Sequence, residues 1–127
     1  YRWDGVKVNG TDCSGTIVSA LREMGVWNED NNAIADTLAR EFVKSIRERD
    51  LKPGDLIFYN IDKDSAWDHV VVYLGDGVVI QASEKNREII WGYSFDRLTR
   101  VLRRKYKQDF DIYYGRIDWE KVWEVGQ

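Results

Sequence analysis

The stretch Asp12-Cys13-Ser14-Gly15 runs directly into Thr16-Ile17-Val18-Ser19-Ala20-Leu21-Arg22-Glu23-Met24-Gly25, and the rest of the chain is organised around it. Apolar residues at Ile17, Val18, Leu21 and Met24 recur at helical spacing, and Gly25 is a natural stop, so the pattern predicts a helix from about Cys13 to Met24. Cys13 then stands at the helix start, where unpaired backbone N–H groups and the positive end of the dipole favour an anion. A thiolate is such an anion, and cysteine pKa values fall at helix N-termini. Cys13 is also the only cysteine, so it has no disulfide partner within the chain.

Upstream, Tyr1 to Thr11 reads as a loop, with Gly5, Asn9 and Gly10 as turn residues and Trp3 as an anchor. Downstream, Trp27 to Asn32 is a polar connection in which Asp30 or Asn31 is placed to cap a second helix. That helix is predicted through Ala33 to Val43, fading before Asp50, and Leu51-Lys52-Pro53-Gly54-Asp55 is a turn. Strand signals follow. Leu56 to Asn60 is short and apolar, and Asp68 to Leu74 is β-branched and nearly continuous, as a central strand should be. Gly75-Asp76-Gly77 turns the chain into Val78 to Ala82, a hairpin by composition. Arg87 to Trp91 is a further strand candidate, Ser94 to Lys107 is helical or irregular, and Asp109 to Ile117 is a last strand. Asp118 to Gln127 is a tail whose Trp119 and Trp123 are expected to pack on the domain. Helices first and an antiparallel sheet after them make an α+β fold.

The bulk numbers agree with one packed unit. The 127 residues suffice for a single core, and the composition is 43% hydrophobic with 13% aromatic residues. The expected organisation is one catalytic domain over residues 1–127, a core to about residue 117 followed by the tail. A net charge of −3 carries no global basic footprint for nucleic acid. No apolar run approaches the roughly 20 residues of a membrane helix, and no signal peptide is present, so the chain reads as a mature product or an excised domain. With one cysteine and one histidine, a structural zinc site is out of reach. No metal or other cofactor is called for.

A cysteine nucleophile needs a base to hold it as thiolate, and the base needs a third group to fix its orientation. His69 is the forced choice for the base, being the only histidine. It opens the predicted central strand, and pairing across the hairpin turn brings Gln81 to within about two residues of level with it. The Gln81 amide oxygen is able to accept the imidazole N–H. Cys13, His69 and Gln81 thus make a nucleophile, a base and an orienter, with the backbone N–H of Cys13 available to an oxyanion.

These motifs resemble the NlpC/P60 family of cell-wall cysteine peptidases. The matching strings are Tyr1-x-Trp3-x-Gly5, Asp12-Cys13-Ser14-Gly15, Pro53-Gly54-Asp55-Leu56-Ile57-Phe58, His69-Val70-x-x-Tyr73-Leu74-Gly75-x-Gly77 and Ile80-Gln81-Ala82, in order from Tyr1 to about Ile117. The resemblance implies a papain-like α+β fold and hydrolysis of peptidoglycan stem peptides, typically between D-γ-glutamyl and a diamino acid. It also implies that Gln81 stands at the third catalytic position and that Tyr1 lines the substrate cleft. Asp12 and Ser14 match residues that in some members hold the free amine of a terminal L-alanine. The chain departs from the pattern in three places. Asp4 replaces the second glycine after Tyr1, the acidic stretch from Trp27 to Asp36 replaces the usual Pro-Arg-Ser/Thr segment, and the helix that usually precedes Tyr1 is absent.

The implied partner is peptidoglycan or a muropeptide, acted on by a monomer that is secreted, periplasmic, wall-associated or phage-borne. Two other functions compete with the endopeptidase: a peptidoglycan amidase of related fold, and a non-catalytic wall-binding module. The second has no need of a complete nucleophile set. The basic cluster of Arg97, Arg100, Arg103, Arg104, Lys105 and Lys107 reads either as a solvated helix face or as a grip for anionic wall polymers.

Overall fold

A computed structural model describes residues 12–31, 33–60, 66–83, 88–106 and 111–127; for 12–16, 81–83, 88–93 and 106 the description is of the backbone alone. The elements in chain order are helix α1 (Asp12–Glu23), helix α2 (Ala35–Glu41), strand β1 (Val43–Ser45), a 3-10 turn (Glu48–Asp50), β2 (Leu56–Asn60), β3 (His69–Gly75), β4 (Val78–Ser83), β5 (Glu88–Ser94), helix α3 (Phe95–Tyr106), β6 (Asp111–Ile117) and helix α4 (Trp119–Gly126). The strands form a six-stranded sheet in the order β1-β6-β2-β3-β4-β5, antiparallel at every pairing. The fold is α+β.

The sheet is covered on both faces. β2 shows why, because all five of its residues are buried. Successive strand side chains point to opposite faces, so Leu56 and Phe58 enter one core and Ile57 and Tyr59 the other. The first core gathers Ile17, Val18 and Leu21 of α1, Leu38 and Ala39 of α2, Val122 of α4 and Val70 of β3. The second is built from Val71, Val79 and the Phe95 and Leu98 face of α3. Ile17, Val18 and Leu21 of the apolar stripe read on α1 are its buried face, whereas Met24, past the helix end at Glu23, is exposed; α1 lies against β3 and β4.

The β3–β4 hairpin forms where its composition placed it. Gly75, Asp76 and Gly77 all take left-handed φ values of 108°, 53° and 76°, which two glycines and an aspartate tolerate. The register shifts between Tyr73 and Gly75. The tyrosine hydroxyl accepts the Gly77 N–H at 3.0 Å and braces the turn.

Three local expectations are corrected. The second helix stops at Glu41, and Val43–Ser45 leaves it to pair with Ile117–Gly115 of β6. A β-branched residue beside an available strand edge prefers the ladder to another helical turn. Neither Asp30 nor Asn31 caps α2, whose N-cap is Ile34 without a side-chain bond; the Asn31 carboxamide oxygen accepts the Asn28 N–H instead. The tail is a helix capped by Asp118, which accepts from the Lys121 N–H. Its packing residue is Val122, 1% exposed, while Trp119 and Trp123 are exposed. The indole N–H of Trp27 donates to the Val122 carbonyl at 2.8 Å and holds the helix on.

Candidate active site

The first turn of α1 carries Asp12, Cys13 and Ser14, and the body of that helix rests on the two strands that carry His69 and Gln81. Helix α1 is thus in contact with both strands that carry the other two candidates. Tyr1 lies outside the described residues, as do the side chains of Asp12, Cys13, Ser14 and Gln81.

His69 is the first residue of β3 and pairs with Tyr59 of β2. Their rings lie 6.0 Å apart at 40°. Tyr59 is fully buried, and its hydroxyl sits 3.0 Å from Thr99 Oγ1. Because Thr99 donates to the Phe95 carbonyl, the tyrosine hydroxyl is the donor of that pair. Burial pushes the Tyr59 phenol well above the usual tyrosine range, so a neutral ring flanks the imidazole.

In the β3–β4 ladder Val72 pairs with Ile80, the residue before Gln81, and Gln81 itself pairs with Ile90 of β5 after a register shift.

The approach to His69 is held from three sides. The Trp67 N–H donates to Asp36 Oδ1 of α2 at 2.9 Å, and the Trp67 ring stacks on Tyr113 of β6 at 5.5 Å and 28°. The Asp68 N–H donates to the Tyr59 carbonyl at 2.9 Å. The sequence reading missed Asp36. Its only local signal was the i,i+4 spacing to Arg40, whose Nε lies 2.8 Å from Asp36 Oδ2.

The Asp55 carboxylate is raised by burial, but the Arg116 guanidinium at 2.9 Å, with the Lys52 N–H, outweighs this and leaves it below the ordinary value. Tyr114 is pushed up to about 12 by burial and by Glu48. Three open cavities of about 380, 550 and 350 Å³ lie beside Arg116, Arg103 and Trp123, and His69 lines none of them. Among the described residues there is no group of three or more His, Cys, Asp or Glu able to hold a metal ion, and no helix long and apolar enough to cross a membrane.

The profile of the NlpC/P60 family matches residues 1–114. The chain belongs to the NlpC/P60 family. Among curated relatives of this NlpC/P60 chain, the murein DD-endopeptidase MepH of Escherichia coli is 33% identical over 90 residues, covering 70% of this chain and 33% of the relative. The probable endopeptidase YafL of Escherichia coli is 32% identical over 95 residues, 70% of this chain and 36% of the relative. The probable endopeptidase p60 of Listeria monocytogenes is 30% identical over 86 residues, 66% and 16% of the respective chains. The chain thus spans about a third of the length of the first two relatives.

Proposed function

We propose that this chain is a cysteine endopeptidase of peptidoglycan stem peptides, acting as one papain-like catalytic domain over residues 1–127, with a core to about residue 117 and α4 as its tail. The observation that carries the reading is the family match over residues 1–114, which spans Cys13, His69 and Gln81. The contact of α1 with β3 and β4 supports it. Endopeptidase names among the relatives support the reaction class.

His69 takes the Cys13 thiol proton, and the thiolate attacks the scissile carbonyl carbon. The oxyanion that forms is met by backbone N–H at the start of α1, beginning with that of Cys13. Collapse breaks the C–N bond as the imidazolium returns its proton to the leaving amine, giving an acyl-enzyme. His69 then takes a proton from water, whose attack frees the acid and restores the thiol. Gln81 accepts the other imidazole N–H and fixes the ring. Tyr1 lines the cleft, and Asp12 and Ser14 receive the free amine of a terminal L-alanine. The enzyme acts as a monomer outside the cytoplasm, on wall peptidoglycan or muropeptides.

The bond proposed is that between D-γ-glutamyl and the diamino acid. The name of the MepH relative, a DD-endopeptidase, favours a second reading in which the cut falls at the cross-link. One experiment separates these. Purified peptidoglycan is incubated with wild type and with Cys13→Ala, and the new termini are identified by mass spectrometry. A new diamino-acid amine with a free γ-carboxyl of glutamate is expected from wild type alone. New D-alanyl carboxyls would move the assignment to the cross-link, and a cut at the glycan–peptide junction would make the enzyme an amidase. Full turnover by Cys13→Ala would end the thiol mechanism, and no product from wild type would leave a binding module. If Asp12 meets the stem amine, acetylated stem peptides should be cut more slowly than free ones.

A further inference from the structure

We propose that Asp36 of α2 is a positioning residue for the reaction, holding the chain that delivers His69 to the site. The inference rests on the reading of His69 as the general base. Asp36 occupies the second position of α2, where an aspartate ordinarily faces water and favours the helix dipole. Here its side chain is only 24% exposed and both oxygens are engaged. Oδ2 is fixed by Arg40 Nε at 2.8 Å, and Oδ1 accepts the Trp67 N–H at 2.9 Å.

That bond crosses from the helical layer to the residue two before His69. Trp67 precedes β3, whose ladder begins at His69. Without Asp36 its N–H loses a charged acceptor in a part-buried place. The Trp67 ring packs against the α1–α2 core and stacks on Tyr113, so a shift of its backbone also disturbs that stack. Asp68 is already tied to the Tyr59 carbonyl. Asp36 is therefore a second backbone restraint on the chain just before the imidazole. A general base displaced by an ångström loses rate while substrate contacts elsewhere persist, and such displacements cost up to about 10²-fold.

The test compares kcat and KM on soluble muropeptides, with the Cε1–H resonance of His69, the only histidine, as a readout independent of turnover. Asp36→Ala should lower kcat about tenfold with KM within about twofold, and should shift or broaden the His69 line. Asp36→Asn keeps an oxygen acceptor for the Trp67 N–H and should restore most of kcat. Arg40→Ala, which removes the exposed ion pair to Asp36, worth little, should stay close to wild type. Asp36→Glu retains charge and helix while displacing the acceptor by one methylene, so it should be intermediate in kcat if Asp36→Ala proves too unstable to assay. Wild-type kcat in both Asp36→Ala and Asp36→Glu would overturn the proposal. So would a loss in Arg40→Ala equal to that in Asp36→Ala, which would mean that α2 is merely weakened. His69→Ala marks the other failure. If it turns over like wild type, the general-base reading is wrong, and an unmoved His69 resonance in Asp36→Ala would then overturn the anchor as well.

Discussion

Gln81 is the residue whose role depends most on its exact place, because a glutamine on a strand has no chemistry of its own. It follows Ile80, which pairs with Val72 of the strand that opens with His69. If its oxygen orients His69, Gln81→Asn and Gln81→His should keep measurable activity, since each retains an acceptor. Gln81→Ala should fall by about 10²-fold in kcat/KM, the scale of a general-base contribution. An alanine variant as fast as wild type would move the orienting role elsewhere, with Asp68 next in line. At this scale the sequence singles out Cys13 and His69 as candidates, each the only residue of its kind. Asp36 was not legible, because its partner is a backbone N–H 31 positions away that no side-chain pattern announces.

Among the elements, β1 and β6 meet at a point that permits no side chain. A Cβ on Gly115 would stand 2.6 Å from Cγ2 and 2.8 Å from Cβ of Val43. The neighbour is a stiff β-branched stem, not a flexible tip, so the strands must separate. Gly115→Ala should lower the unfolding free energy by about 1–3 kcal/mol, read from urea denaturation. Adding Val43→Ala should recover part of the loss through direct coupling, and an unchanged urea midpoint in the single variant would show that the contact is not tight. This contact also explains what was hidden at the level of elements. The β2 run announced itself by its short apolar composition, and β3 and β4 by β-branched residues. Val43–Ser45 did not, because its pairing with Ile117–Gly115 joins residues up to 74 positions apart, and such pairing overrides a weak helical pattern. The terminal helix was missed for a related reason: its anchoring bond is from Trp27, 95 positions upstream.

In the molecule as a whole, the Asp55–Arg116 pair ties the turn that starts β2 to the end of the sheet's latest strand. Asp55 is 3% exposed, accepts from Arg116 Nε and Nη2 at 2.9 Å, and also accepts the Lys52 N–H. Its carboxyl is held below the ordinary value of 3.8. A depressed folded value means that the carboxylate stabilises the fold above the unfolded pKa and that this contribution is lost as pH falls through the folded one. Asp55→Asn should therefore melt several degrees below wild type at neutral pH. The gap should narrow as both are acidified through the aspartate's titration range. Thermal melts of both proteins across that range check this, and a gap independent of pH would mean that the charge contributes nothing.

The strand order has a consequence for how the protein comes into being. β6 is the latest of the six strands in the chain, yet it lies between β1 and β2. While the nascent chain emerges from the ribosome, β2 can pair with β3, but its other edge stays open until residues 111–117 are made. That edge belongs to a strand buried along its whole length in the finished protein, and open apolar edges invite pairing with other chains. Contacts between distant segments also form slowly. The growing polypeptide thus carries Cys13, His69 and Gln81 long before it can close the sheet beneath them. Synthesis itself delays completion of the fold, and the interval before closure is when the chain most depends on chaperones.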